Sequence, residues 1–127
     1  MTYDEFIEAV ADELNLATEE AEAVVDATLE TLAERISGGE VEDLMSELPE
    51  ELRPPLERGN EESHGAARKM SLEEFVHEVA EREGATPDDA QKHARAVFKA
   101  LRQAVDEDEF EDVVAQLPDE YTVLLAR

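Results

Sequence analysis

The sequence at residues 2–14, TYDEFIEAVADEL, returns in related form at residues 71–83 as SLEEFVHEVAERE. Each copy opens with a hydroxyl residue followed three positions later by a glutamate, Thr2 with Glu5 and Ser71 with Glu74. In this capping box the two side chains bond the free backbone N–H groups at the start of a helix. The apolar residues behind each box fall on one helical face: Phe6, Ile7, Val10 and Leu14 in the first copy, and Phe75, Val76 and Val79 in the second. Each stretch therefore predicts an amphipathic helix.

The similarity between the two stretches extends over most of the chain. A shift of 69 residues aligns Thr2–Leu56 with Ser71–Leu125 without a gap, and apolar positions stay in phase throughout. The matched identities include Phe6/Phe75, Ala21/Ala90, Leu32/Leu101, Glu40/Glu109, Asp43/Asp112 and Pro49/Pro118. We therefore predict an all-α fold in which two tandem pseudo-symmetric four-helix units pack into a helical bundle, because neither unit buries its apolar faces alone.

Turn and cap residues divide each unit into four helices. The second helix is predicted to begin near Thr18 in one unit and at Thr86-Pro87 in the other, where proline suits a first turn. The third helix is short and ends before Pro49 or Pro118, and a fourth helix follows. On this division the first helical repeat covers residues 1–56, a mobile polar linker covers residues 57–70, and the second helical repeat covers residues 71–127.

Composition restricts the classes of function. The chain has 127 residues, no cysteine, and 35 acidic against 11 basic residues, for a net charge of −24. The lack of cysteine excludes disulfides, thiolate nucleophiles and cysteine-bound zinc in this chain. The negative charge is expected to repel bare nucleic acid and anionic membranes, so we predict neither as a partner. The N-terminus lacks the basic start and apolar run of a secretion signal, which predicts a cytoplasmic protein.

Two explanations compete for the acidity. One is adaptation to a cytosol of molar salt, where screening shortens the Debye length to about 3 Å and self-repulsion fades. The other is a functional patch that binds a basic partner. Acidic residues are spread over nearly every predicted helix, whereas a binding patch would be local. The distribution therefore favours the adaptation to high salt.

Candidate catalytic and metal-binding residues are few. The acidic run at residues 106–112, DEDEFED, offers carboxylates for calcium but lacks the glycine and ligand spacing of an EF-hand loop. We interpret it as a helix N-terminus, whose carboxylates complement the helix dipole, and predict no metal site. His64, His77 and His93 lack zinc or triad spacing and are interpreted as structural or solvated. The sequence contains no nucleophile elbow or phosphate loop, so we predict no catalytic residue and no cofactor.

A basic stripe distinguishes the second unit. Four basic residues recur at helical spacing on one face of its second helix: Lys92, Arg95, Lys99 and Arg102. The matching face of the first unit carries Asp26 and Glu30 instead. Two interpretations stay open. The stripe is either a solvated face paired within its own helix, or a contact with Asp26 and Glu30 of another copy or with an acidic or phosphate-bearing partner.

Both halves resemble a prokaryotic family known as domain of unknown function 2267. The similar elements are an aromatic-rich opening helix, an alanine-led second helix that ends in leucine, and a closing Leu-Pro. They are Tyr3-x-x-Phe6, Ala21–Leu32 and Leu48-Pro49 in the first half, and Leu72-x-x-Phe75, Ala90–Leu101 and Leu117-Pro118 in the second. The second half departs from the pattern at Leu72, which takes the place of Tyr3. The family carries no assigned reaction, cofactor or site, so the resemblance implies a fold and transfers no functional residue.

These features predict a non-enzymatic helical interaction or scaffold protein with an acidic surface adapted to high salt. The sequence provides packing faces and charged surfaces but no recognisable reactive site. Two alternatives stay open: an enzyme or ligand-binding accessory protein with a pocket between the two repeats, and an acidic mimic of nucleic acid that binds a basic partner. The leading interpretation allows a protein partner or self-association.

Overall fold

Eight α-helices form the part of the chain, residues 1–125, that the computed structural model describes. They are α1 (Tyr3–Leu14), α2 (Thr18–Arg35), α3 (Gly38–Glu47), α4 (Arg53–Glu62), α5 (Leu72–Glu83), α6 (Pro87–Ala104), α7 (Glu107–Ala115) and α8 (Thr122–Leu125). Single 3-10 turns at Glu50–Leu52 and Asp119–Tyr121 lead into α4 and α8. Residues 1–125 contain no strand, so the prediction of an all-α helical bundle is confirmed.

Capping residues fix where the helices begin. Thr2 accepts a hydrogen bond from the Glu5 backbone at 3.1 Å, and the Glu5 carboxylate accepts one from the Thr2 N–H at 2.8 Å. Ser71 and Glu74 make the same reciprocal pair at 3.1 and 3.0 Å. Both predicted capping boxes are therefore confirmed. Each satisfies two backbone donors that the helix geometry leaves without a partner.

The core is built from the apolar faces that the sequence predicted. Phe6 and Phe75 are fully buried. The Phe75 ring lies 5.4 Å, centroid to centroid, from the edge-on ring of Tyr121, whose hydroxyl donates to the Met70 carbonyl at 3.0 Å. The apolar residues thus serve internal packing. Among the described residues, no helix has the length and apolar character needed to cross a bilayer.

The helices of the two halves pack across each other. We call α1–α4 the first half and α5–α8 the second half. Helix α1 packs on α2 of its own half and on α6 of the other, and α5 packs on α6 and on α2. Helix α2 also contacts α6, and α3 contacts α7. The two longest helices, α2 and α6, therefore lie at the centre, and each is covered by an opening helix from the other half.

The structure extends α4 into the segment predicted to be a linker. Helix α4 runs to Glu62, so the first residues of the predicted linker at 57–70 are helical. The cause is a close crossing on α2 at the buried Gly59, which has no side chain to hold the helices apart. The rest of the segment turns at His64 and Gly65, and the Arg68 N–H then donates to the Glu34 carbonyl at 2.8 Å.

Candidate functional site

The basic stripe predicted from the sequence lies along α6, and part of it is used within the chain. Three of its residues are exposed: Lys92, Arg95 and Lys99. The ammonium of Lys99 lies 2.6 Å from Oε1 of Glu13 on α1. The guanidinium of Arg102 lies 4.5 Å above the centre of the Phe110 ring, a cation–π distance. The structure therefore places all four residues on α6, where Lys99 and Arg102 contact side chains of neighbouring helices.

The matching acidic face of α2 is covered by α4. Arg58 donates from Nη2 to Oδ2 of Asp26 at 2.9 Å and from Nε to Oε1 of Glu30 at 2.8 Å. A second copy that offered its stripe to these two acids would have to displace Arg58. Of the partners considered from the sequence, this geometry favours an acidic or phosphate-bearing one.

An apolar groove of about 290 Å³ lies beside the stripe. Its walls come from α6, α7 and α8: Phe98, Lys99, Arg102, Gln103, Phe110, Leu124 and Leu125. These residues belong to the second half, so the groove does not lie between the two halves. Two stripe residues form part of its wall, which places cationic groups next to apolar surface.

Three carboxylates from two helices converge where the halves meet. Glu40 and Asp43 of α3 and Glu109 of α7 each place a carboxylate oxygen within 4.8 Å of the others. We call these residues the carboxylate cluster. Glu40 is 8% exposed and Glu109 is 7% exposed, whereas Asp43 is open to solvent. Glu109 is the one residue of the predicted acidic run at 106–112 that belongs to this cluster.

The carboxylate cluster is incompletely hydrogen-bonded. Gln116 donates from Nε2 to Oε1 of Glu40 at 3.2 Å. Oε2 of Glu40 and Oε2 of Glu109 are buried without a hydrogen-bond partner. Burial, reinforced by the neighbouring Glu40 and Asp43 carboxylates, raises the pKa of Glu109 to about 8. The arrangement therefore favours a proton or a cation among these oxygens.

The three histidines lie on different elements. His64 lies in the turn after α4 with a left-handed φ of 56°, and Nε2 of His77 on α5 lies 3.5 Å from Oε1 of exposed Glu81. His93 on α6 contacts the carboxylate of Glu83, whose pKa is raised by burial. These surroundings agree with the interpretation of His93 as a structural residue.

A second charged cluster ties α5 to α2 and α4. Arg82 donates from Nη2 to Oε2 of Glu34 at 2.8 Å and to Oε2 of Glu62 at 3.0 Å, and from Nη1 to Oγ1 of Thr31 at 2.7 Å. Its Nε lies 3.2 Å from Oε2 of Glu30. We call these five residues the Arg82 cluster. A side-chain hydrogen bond with Glu34, burial and the negative charges of Glu34 and Glu30 outweigh the effect of Arg82 and raise the pKa of Glu62 to about 7. One arginine thus holds together acids from two helices of the other half.

Neither cluster was predicted from the sequence, although the 69-residue register contains a signal for each. Glu40 and Glu109 occupy equivalent positions in the two halves. Once α3 and α7 are known to touch, this equivalence indicates that the two carboxylates lie close together. Arg82 aligns with Glu13, a reversal of charge at the end of the opening helix. Neither signal predicts a contact without the crossing of the halves.

Comparison with known proteins supports the resemblance inferred from the sequence. No curated protein shows significant sequence similarity to the chain. A family model matches residues 3–124, nearly the whole chain, and its family is described as "Uncharacterized conserved protein (DUF2267)". Because the match covers nearly the whole chain, the chain belongs to the DUF2267 family.

Proposed function

We propose that this chain is a non-enzymatic helical interaction or scaffold protein of the cytoplasm, with a surface adapted to high salt. The partner is a protein that presents an acidic amphipathic segment. The observation that carries the proposal is the groove beside the basic stripe, where Lys99 and Arg102 border apolar surface on a chain of net charge −24. An acidic helix fits both features, because its carboxylates meet the stripe while its apolar face enters the groove.

We also propose that the two halves are tandem pseudo-symmetric copies of one prokaryotic unit. Corresponding helices begin 69 residues apart, as α1 and α5 do at Tyr3 and Leu72. A reciprocal pair of caps supports the proposal. Oε1 of Gln116 accepts from the Ser37 N–H at 2.8 Å, and Oε1 of Glu47 accepts from the Asp106 N–H at 2.7 Å. Gln116 and Glu47 are themselves 69 positions apart, so each half caps a helix of the other in the same way.

Adaptation to high salt predicts a strong dependence of stability on ionic strength. We expect the melting temperature to rise substantially between about 0.1 M and 2 M potassium chloride, because the Debye length falls from about 10 Å to below 3 Å and screens the exposed carboxylates. Thermal unfolding followed by circular dichroism measures the change. A triple variant with exposed acids neutralised (Glu8→Gln, Asp12→Asn, Glu111→Gln) should gain less from salt. A wild-type melting temperature indifferent to salt would contradict the adaptation.

Reversing the charge of two exposed stripe residues, Lys92 and Arg95, tests the interaction proposal. We expect Lys92→Glu/Arg95→Glu to weaken capture of the partner from native lysate at native salt by about tenfold or more, because two attractive charges become repulsive. A photo-crosslinker at the exposed Gln103, which lines the groove, should label the same partner in the parent protein.

The control for this experiment changes the net charge equally at a different place. Arg53→Glu/Lys69→Glu also replaces two exposed bases, but both lie outside the stripe. It should leave capture intact. Equal loss of capture in both double variants would show that the overall charge, and not the position of the stripe, controls binding. Crosslinking to a nucleic acid or a phosphorylated ligand would show that this ligand, and not an acidic protein, is the partner. Unchanged capture by Lys92→Glu/Arg95→Glu would overturn the proposal.

A further inference from the structure

The carboxylate cluster joins the two halves at one point. Glu40 lies in the first turn of α3 and Glu109 in the first turn of α7. Both side chains are more than nine-tenths buried, and both come from helices that contact each other across the halves. Two carboxylates brought together out of water repel each other and lose hydration, so such a pair needs a positive charge or a shared proton.

The hydrogen bonds of the carboxylate cluster leave two buried oxygens without a donor, and a cation could bind them. Gln116 donates to one oxygen of Glu40, but Oε2 of Glu40 and Oε2 of Glu109 have no donor although they are buried. Asp43 adds a third carboxylate from the solvent side, with an oxygen within 4.8 Å of both glutamates. The three residues therefore surround a space with anionic oxygens that the protein itself does not satisfy.

The chemistry of these ligands selects the class of ion. Carboxylate oxygens are hard donors, which favour Mg²⁺, Ca²⁺ or Mn²⁺ over softer metals. We propose that Glu40, Asp43 and Glu109 bind one hard divalent cation, which bridges α3 of the first half to α7 of the second. Water fills the remaining coordination positions on the open side at Asp43. One of the three ligands, Glu109, comes from the run at residues 106–112 in which the sequence alone predicted no metal, and the unpartnered oxygens are the new observation.

The alternative occupant is a proton shared by the two glutamates. A shared proton and a cation differ in what Asp43 does. The proton needs only Glu40 and Glu109, whereas the cation gains a third anionic ligand from Asp43. Replacing Asp43 therefore distinguishes the proton from the cation, and because Asp43 is exposed we expect the substituted chain to fold normally.

The test measures cation binding in a background where diffuse attraction to an acidic surface is screened. The chelated full chain is titrated with MgCl₂, CaCl₂ or MnCl₂ in about 2 M potassium chloride, where the Debye length is below 3 Å. We expect one ion per chain by calorimetry and a melting temperature that rises to a plateau. Bound Mn²⁺ should broaden the side-chain amide resonances of Gln116, which lies 3.2 Å from Glu40.

Matched variants decide the result. We expect Asp43→Asn to weaken binding by about tenfold or more, as loss of an anionic ligand does, and Glu109→Gln to abolish it. Asp112→Asn is the control, because it is the equivalent exposed aspartate on α7 and lies outside the cluster. It should bind as the parent protein does. Equal weakening by Asp43→Asn and Asp112→Asn, or no saturable binding by the parent chain, would overturn the proposal in favour of the shared proton.

Discussion

Replacing Arg82 with methionine is expected to lower the free energy of unfolding by about 3 kcal/mol, because it leaves the buried carboxylate of Glu34 without its main partner. The Glu34 side chain is 2% exposed and accepts two hydrogen bonds from Nη2 of Arg82, at 2.8 and 3.0 Å. Arg68 remains 3.3 Å away, which keeps the loss at the lower end of the range for broken buried pairs. Chemical denaturation in molar potassium chloride measures the loss.

The matched control for Arg82 is Lys99→Met. Lys99 and Glu13 also join an opening helix to a central helix, but both side chains are about half exposed, and such pairs contribute about 0–1 kcal/mol. In the double variant Arg82→Met/Glu34→Leu, most of the stability should return, since the uncompensated charge is gone as well. Losses of the same size in Arg82→Met and Lys99→Met would show that Glu34 does not depend on Arg82.

Replacing Gly59 with alanine is expected to destabilise the protein by about 2–3 kcal/mol, because the added methyl group has no room at the crossing of α4 and α2. Its Cβ would lie 2.2 Å from the Glu30 carbonyl oxygen and 2.7 Å from Cβ of Ala33. The carbonyl belongs to the backbone of a central helix and cannot turn aside. Helix α4 must therefore move outward, and Arg58 is drawn away from its acids on α2. Equilibrium unfolding in urea measures the effect.

Gly39→Ala is the control, because the same substitution at Gly39 is not expected to destabilise the protein. Gly39 occupies the first turn of α3, and apart from its chain neighbours and the backbone of its own helix no heavy atom lies within 4 Å of a Cβ built there. Alanine there should be neutral or stabilising by up to about 0.5–1 kcal/mol, because it reduces the conformational entropy of the unfolded chain. If Gly59→Ala behaved like Gly39→Ala, the tight crossing of α4 on α2 would be disproved.

The elements of this fold were predictable where their causes are local. Thr2 with Glu5 and Ser71 with Glu74 mark helix starts through side chains three residues apart, and the structure contains both capping boxes. The end of α4 was not predictable in this way. Its last turns are polar and contain Gly59, a composition that predicts a linker when the contact with α2 is not known. That contact depends on residues almost thirty positions earlier in the chain.

The candidate sites were predictable only in part, for the same reason. The run at residues 106–112 was interpreted as a helix N-terminus, and α7 does begin at Glu107. The burial of Glu109 against Glu40 follows from the crossing of α3 and α7, which local spacing does not encode. The basic stripe on α6 was visible as a helical pattern, but the pairing of Lys99 with Glu13 again joins distant segments.

Two ion pairs at equivalent positions link an opening helix to the central helix of the other half, and they have opposite polarity. On α1 and α6 the acid is Glu13 and the base is Lys99, whereas on α5 and α2 the base is Arg82 and the acid is Glu30. Under the proposed tandem arrangement, these are equivalent positions with their charges exchanged. Two first halves from different chains would then place Glu13 against Glu30, and two second halves would place Arg82 against Lys99. Both of these pairings bring like charges together, so a first half pairs more favourably with a second half than with another first half. The exchange of charge would therefore disfavour mispairing between copies of the chain.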